Sequence, residues 1–271
     1  MNDSSEVDTS RPHSARMYDY ILGGKDWFPV DREAGEQVKK IFPHVVTQAR
    51  ANRDYMHRAV RLVAGEFGVR QFLDIGTGIP TSPNLHQVAQ EVAPECRVVY
   101  ADHDPLVLEY ADALMQSTPE GRTAYVQADV RRDSVLERPE ARETLDLDEP
   151  VALSLLALLH FVPDEHDPQG IIRSMLDRLA PGSFLLLSHA TADFDDAGHL
   201  ERVKKVYDES GTPVQIRTKA EIEVFFDGLE MVEPGLMPAH RWRPEGPVTI
   251  TDAEQLGGAI TEQLAGLFDV A

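Results

Sequence analysis

The chain has 271 residues and one cysteine, Cys96, so an internal disulfide and a multi-cysteine metal site are both excluded. Basic charge is scarce: 26 Lys and Arg stand against 46 Asp and Glu, a formal net charge of −20. Phosphate recognition needs clustered cations, so nucleic acid is not an expected partner. No apolar run reaches the length of a membrane span and no signal-peptide pattern opens the chain. No membrane partner and a cytoplasmic location are therefore expected. His, Asp and Glu nowhere take up metal-ligand spacing, and internal repeats and long low-complexity segments are missing. The length fits one large domain or one and a half.

What the chain does have is the stretch from Val69 to Pro83, Val-Arg-Gln-Phe-Leu-Asp-Ile-Gly-Thr-Gly-Ile-Pro-Thr-Ser-Pro. Phe72, Leu73 and Ile75 predict the end of a buried strand. Gly76, Thr77 and Gly78 predict a tight turn that lets a ligand approach the main chain. Thr81 or Ser82 is expected to cap a helix with Pro83 in its first turn. Strand, glycine turn and helix is the unit in which α/β proteins bind nucleotides at the carboxyl ends of parallel strands. It is also an ordinary strand-to-helix connection. Asp74 makes the stretch more specific, because an acid before the glycines repels a phosphate and suits a cationic ligand end such as an ammonium group.

Upstream, Met1 to His13 is polar and is expected to be a flexible tail. Ser14 to Val30 carries Met17, Tyr18, Tyr20, Ile21, Leu22, Trp27 and Phe28, which predicts either an arm packed on the core or a lid over a ligand. Gly23-Gly24-Lys25 is not a P-loop, since Asp occupies positions 19 and 26. Helices are expected from Asp31, its cap, to Phe42 and from Val45 to Phe67. Asn52 and Arg53 fall on the apolar stripe of the second, either paired with the arm or a loop, or facing a ligand carboxylate.

Downstream, Val98 to Ala101 predicts a second strand ending at Asp102, placed to accept hydrogen bonds from ribose hydroxyls. His103 follows, and Asp104 is expected to cap a helix from Pro105. Thr123 to Gln127 predicts a third strand, after which Asp129 can accept from an adenine amino group while Val130 packs on the ring. Val151 to Leu159 reads as a central strand ending at His160, and Ser183 to Ser188 as a fifth leading to His189. Helices are expected over Ile171–Leu179, Asp195–Ser210 and Thr218–Asp227, and a sixth strand over Leu229–Glu233. The tail from Thr251 allows a last strand near Leu256 to Ile260 or a final helix.

Asp74-x-Gly76-x-Gly78, Asp102 and Asp129 at three successive strand ends resemble the class I methyltransferases that use S-adenosylmethionine. The wording is closer still to an actinobacterial S-adenosyl methyltransferase family first catalogued as a domain of unknown function. The matching phrases are Ser14-Ala-Arg-Met-Tyr-Asp-Tyr-Ile-Leu-Gly-Gly-Lys-Asp, Ala49-Arg-Ala-Asn-Arg, Phe72-Leu-Asp-Ile-Gly-Thr-Gly-Ile-Pro-Thr, Leu159-His-Phe-Val-Pro-Asp and Leu187-Ser-His-Ala-Thr-Ala-Asp. Pro80 stands where such turns usually have a third glycine.

The resemblance implies a doubly wound, mostly parallel seven-stranded α/β sheet, Rossmann-like over residues 69–271, with an N-terminal arm and helical cap over 14–68 and a tail over 1–13. It implies S-adenosyl-L-methionine as cofactor and a small-molecule acceptor. Asp74, Gly76, Thr77 and Gly78 are then expected at the methionine end, Asp102 and His103 at the ribose, and Asp129 and Val130 at the adenine. Met17, Tyr20 and Asn52 are expected to close the site. His160 resembles the base of small-molecule O-methyltransferases, and His189 is a second catalytic candidate. Two other readings are a sensor that binds S-adenosylmethionine without turnover and a nicotinamide dehydrogenase. Asp74 and the missing third glycine disfavour the dehydrogenase.

Overall fold

The structure is a computed structural model that describes residues 8–114, 116–193, 198–246 and 263–270. Three helices come first, α1 (Ser14–Leu22), α2 (Pro29–Ile41) and α3 (Val45–Gly65). Strands and helices then alternate: β1 (Gln71–Ile75), α4 (Leu85–Val92), β2 (Arg97–Asp102), α5 (Pro105–Leu114), β3 (Arg122–Gln127), α6 (Pro139–Thr144), β4 (Ala152–Leu156), α7 (Pro168–Leu176) and β5 (Ser183–Ala190). After them come α8 (His199–Glu209), α9 (Lys219–Glu223), β6 (Glu230–Met231), β7 (Met237–Pro238) and β8 (Gln263–Val270).

Five strands run parallel in the order β3-β2-β1-β4-β5, and β8 lies antiparallel on β5 with β6 and β7 paired to β8. That makes eight strands among the described residues where seven were expected, with the short bridge at 237–238 adding to the sheet through β8. The order reverses at β1, so the turns after β1 and β4 diverge to opposite sides and leave a crevice at their carboxyl ends. Period-two alternation sorts each strand between two cores. Leu73, Val99, Leu153 and Leu185 bury on one face, while Phe72, Val98, Ala152 and Phe184 bury on the other with Tyr55 and Val60 of α3. Thus α3 packs on the sheet itself.

Several boundaries moved for local reasons. Asn84, not Thr81 or Ser82, precedes α4: its side chain accepts from the Thr81 N–H at 3.0 Å, and its own N–H donates to Gln87 Oε1 at 2.7 Å. Asp31 sits in the first turn of α2 instead of capping it and reaches back to accept from the Phe28 N–H at 2.8 Å. β4 ends at Leu156, three residues early, because Ala157 takes φ 52°, a left-handed conformation uncommon for a residue with a Cβ. The first turn of the expected helix 195–210 and the expected strand at 256–260 lie wholly or partly outside the described residues.

Residues 8–13, expected as tail, are tied down where they are described. Arg16 donates to the Asp8 and Arg11 carbonyls and, through Nε, to Asp31 Oδ2 at 2.9 Å. The Asp31 carboxylate also accepts from the His13 N–H at 2.8 Å and is fully buried with Arg16. Removing one partner of a buried, hydrogen-bonded ion pair leaves the other charge desolvated, at about 3–5 kcal/mol. Asp31→Ala is expected to lower the thermal midpoint clearly and to speed hydrogen exchange in α1; unchanged values for both would contradict this role.

Candidate functional site

The glycine turn after β1 is held by its own backbone. The Gly76 N–H donates to the Ala101 carbonyl at 2.8 Å, and Thr77 Oγ1 donates to the Asp74 carbonyl at 3.1 Å. Gly76 and Gly78 have φ of 72° and 66°, and a Cβ at Gly76 would lie 2.6 Å from a Leu158 methyl. Both positions need glycine. Gly78 donates its N–H to Asp102 Oδ2 at 2.9 Å, and Asp102 Oδ1 accepts from the Asp104 N–H at 3.0 Å. A carboxylate offers about four acceptor positions, so Asp102 keeps capacity for two further donors.

Two cavities meet over this turn. The first, of about 220 Å³, is bordered by Asp74, Gly76, Thr77, Gly78, Asn52, Arg53 and His160. The second, of about 260 Å³, is bordered by Asp129, Val130, Arg131 and Val162. Gly76, Asp102, His103, Leu158 and Phe161 border both, as do His13 and Ser14 from the N-terminal segment. The two cavities thus adjoin, side by side, in a trough across three strand tips.

Electrostatics differ along it. Burial pushes the Asp74 carboxyl up to about 6, opposed by the Ser154 hydroxyl, which donates to it at 2.6 Å, and by the Arg53 charge. Keeping this group ionised at neutral pH costs folding free energy on the order of 3 kcal/mol, which a cationic ligand end would offset. Asp129 is the opposite case. Arg131 grips it with Nε and Nη2, both at 2.8 Å, Arg132 adds a contact at 2.9 Å, and its carboxyl is held down to about 2.

Among the expected residues, Asp74, Gly76, Thr77, Gly78, Asn52, Asp102, His103, Asp129, Val130 and His160 all border the trough. Asn52 is also a pairing residue, with Nδ2 donating to the Tyr18 hydroxyl at 3.2 Å and Oδ1 accepting from Ser188 at 2.7 Å. Arg53 binds the Thr81 and Pro83 carbonyls and so holds the loop beyond the glycine turn.

Met17 and Tyr20 border neither cavity. Met17 is buried among Ile21, Ala34 and Val38, and the Tyr20 hydroxyl bonds Glu36 on the outer side. Ser14, Tyr18 and Ile21 form the stripe that lines the first cavity; Met17 and Tyr20 lie roughly 70° and 130° to one side of its centre, toward α2. Gly23 ends α1 with φ 89°. Asp19 occupies the space a Cβ on Gly24 would need, and it accepts from the Asp26 N–H at 2.9 Å.

The two histidine candidates separate. His189 borders neither cavity; its Nε2 accepts from Arg217 at 2.9 Å and its Nδ1 lies 2.6 Å from the Ala190 carbonyl. His160 borders the first cavity, and its buried Nδ1 has no hydrogen-bond partner among the described residues. Burial, then the Arg217 charge, pushes its pKa down to about 3, so the ring is neutral at physiological pH. Arg217 was not anticipated. It donates to the Leu159 and Val162 carbonyls, to Asp164 and to His189, clamping the loop that presents His160. Its partners lie 28 to 58 residues away, beyond any local pattern. Among the described residues no cluster of His, Cys, Asp and Glu could hold a metal ion, and no helix is long and apolar enough to cross a membrane.

Residues 1–265 match the S-adenosyl methyltransferase family. A DUF574 family protein of Streptomyces avermitilis is 49% identical, with a TM-score of 0.92 over 97% of this chain and 99% of its own. A candidate methyltransferase of Thermobifida fusca is 35% identical, with a TM-score of 0.89 over 98% of this chain and 97% of its own. None of the curated proteins compared with the chain matches it. With a family match across nearly its whole length and a trough of the right chemistry at its strand tips, the chain belongs to the S-adenosyl methyltransferase family and uses S-adenosylmethionine as its cofactor.

Proposed function

We propose that the trough holds S-adenosylmethionine along its length and that the methyl acceptor is a small molecule in the first cavity. The observation that carries this reading is that the two cavities share Gly76 and Asp102, one reaching Val130 and the other reaching His160 and beyond. When bound, the cofactor supplies a methyl on a sulfonium; an acceptor lone pair bonds the methyl carbon as the carbon–sulfur bond breaks, its electron pair going to sulfur and leaving S-adenosylhomocysteine.

Asp74, half-stripped of water, would hold the ammonium of the methionine end. Asp102 would accept from the ribose hydroxyls with His103 beside it. Val130 would pack on the adenine. Asp129 would accept from the adenine amino group only by sharing oxygens already engaged by Arg131. α1 and α2 would form a cap that closes the methyl-transfer end, within the span 14–68, and the protein would work in the cytoplasm. Such positioning supplies much of the acceleration in a displacement of this kind.

His160 would accept a hydrogen bond from the acceptor's O–H or N–H and orient its lone pair. An imidazole with a pKa near 3 is a weak base, so any proton released passes on to water.

Calorimetry tests the binding assignments. S-adenosylhomocysteine is expected to bind at micromolar or better affinity, NAD not at all, and Asp102→Ala is expected to weaken S-adenosylhomocysteine at least tenfold. The Asp74 carboxyl is raised to about 6 in the free protein, so it is protonated below that pH and cannot pair with an ammonium. Affinity is therefore expected to fall as pH drops through 6, by up to about tenfold per unit, and in Asp74→Asn this dependence vanishes. Undiminished binding by Asp102→Ala, or affinity flat from pH 8 to 5, would reject these roles.

On any accepted substrate, His160→Ala is expected to lower kcat by roughly tenfold or more. Because His160 is charged only below about pH 3, the native rate should show no His160 limb between pH 5 and 8. A limb near pH 6.5 that disappears in His160→Ala would contradict this.

A further inference from the structure

The first cavity extends well past the cofactor trough, and its far wall has one character. From α8, Leu200, Val203 and Tyr207 face it, spaced i, i+3, i+7 as one helical stripe. From the facing side come Ile21 of α1, Val38 of α2 and Val45 of α3, and the extended segment after α8 adds Val214 and Ile216 at period two. Five separate segments thus turn apolar positions toward one partly open space, and Ile21, Val38, Val203 and Tyr207 also pack on one another around it.

Charge is nearly missing from this wall. Lys204 is the one ionic residue among the described lining residues away from the glycine turn, and its ammonium is bound to Asp208 at 2.5 Å. Burial raises the Tyr207 phenol to about 12, so it is neutral as well. A phosphate, a carboxylate or an ammonium placed here would lose its water without gaining a partner, at a cost of several kcal/mol. An apolar ring would bury its surface at no such cost. Where the chamber meets the trough, His160 is neutral, so its ring can receive one hydroxyl or amine hydrogen, and its buried Nδ1 has no hydrogen-bond partner among the described residues.

Resting on the methyltransferase reading above, we infer that the acceptor is a compact, uncharged, largely apolar molecule with a single hydroxyl or amine group, of the size of one or two fused aromatic rings. Phosphorylated and other multiply charged metabolites are disfavoured by the scarcity of counter-charges on this wall, where Lys204 is already paired with Asp208. Selection is then made by desolvation: a charged analogue of the same shape is rejected because nothing replaces its hydration.

The test uses the full-length protein saturated with S-adenosylhomocysteine and two probes of one ring system, 1-naphthol and 1-naphthyl phosphate, followed by calorimetry. The inference expects 1-naphthol to bind at least tenfold more tightly than its phosphate. Val203→Asp is expected to weaken 1-naphthol at least tenfold while S-adenosylhomocysteine affinity stays within about twofold, the sign that the variant is folded. Ile216→Asn, on the facing segment, gives a second reading should Val203→Asp lose S-adenosylhomocysteine binding. Equal or tighter binding of the phosphate, no binding of 1-naphthol, or 1-naphthol binding indifferent to both substitutions would overturn the inference. Failure of the methyltransferase reading itself would show earlier and separately, as no binding of S-adenosylhomocysteine by the native protein.

Discussion

A carboxylate held where water reaches it poorly is the constraint on which the rest of this molecule turns. Asp74 stands at the tip of β1, at the point where strand order reverses, with one hydroxyl from Ser154 as its hydrogen-bond donor. Its ionised form is costly in that surrounding. Around it the chain spends backbone hydrogen bonds to fix Gly76 and Gly78, and Asp102 braces the same turn from β2. Trough, turn and brace therefore depend on one another.

The second half of the device is the N-terminal segment. The Arg16–Asp31 pair draws His13 down so that it lies 3.2 Å from Asp104 and 3.1 Å from His103, over the strand-two tip. A run of chain that would otherwise wander is thereby made the roof of both cavities. On the opposite side Arg217 fixes the loop after β4, where the left-handed Ala157 turns the chain out of the sheet. Strain at a strand tip persists only where surroundings over-determine it, and here the consequence is that His160 faces the cavity instead of the core.

Much of this was legible in the sequence. Apolar runs ending in Asp74, Asp102 and Asp129 announced three strands and their tips, because a parallel strand buried on both faces must be apolar until it leaves the sheet. Helix phase was harder to read. Met17 and Tyr20 are as apolar or aromatic as Tyr18 and Ile21, and only the packing of α1 on α2 decides which stripe meets the cavity. Pairings within two or three residues, such as Asp129 with Arg131, carry a local signal that strand patterning alone does not express. Arg217 and the antiparallel β8 offered none, since their partners are set by the finished topology.

The central claim is that one adenosyl amino acid lies across β1, β2 and β3 with Asp74 at one end and Val130 at the other. A crystal structure of the protein grown with S-adenosylhomocysteine tests it most directly. The account predicts the ligand's ammonium within hydrogen-bond or ion-pair reach of Asp74, both ribose hydroxyls on Asp102, and the adenine against Val130. A ligand bound elsewhere, or lying in the trough with its ribose turned away from Asp102, would contradict it.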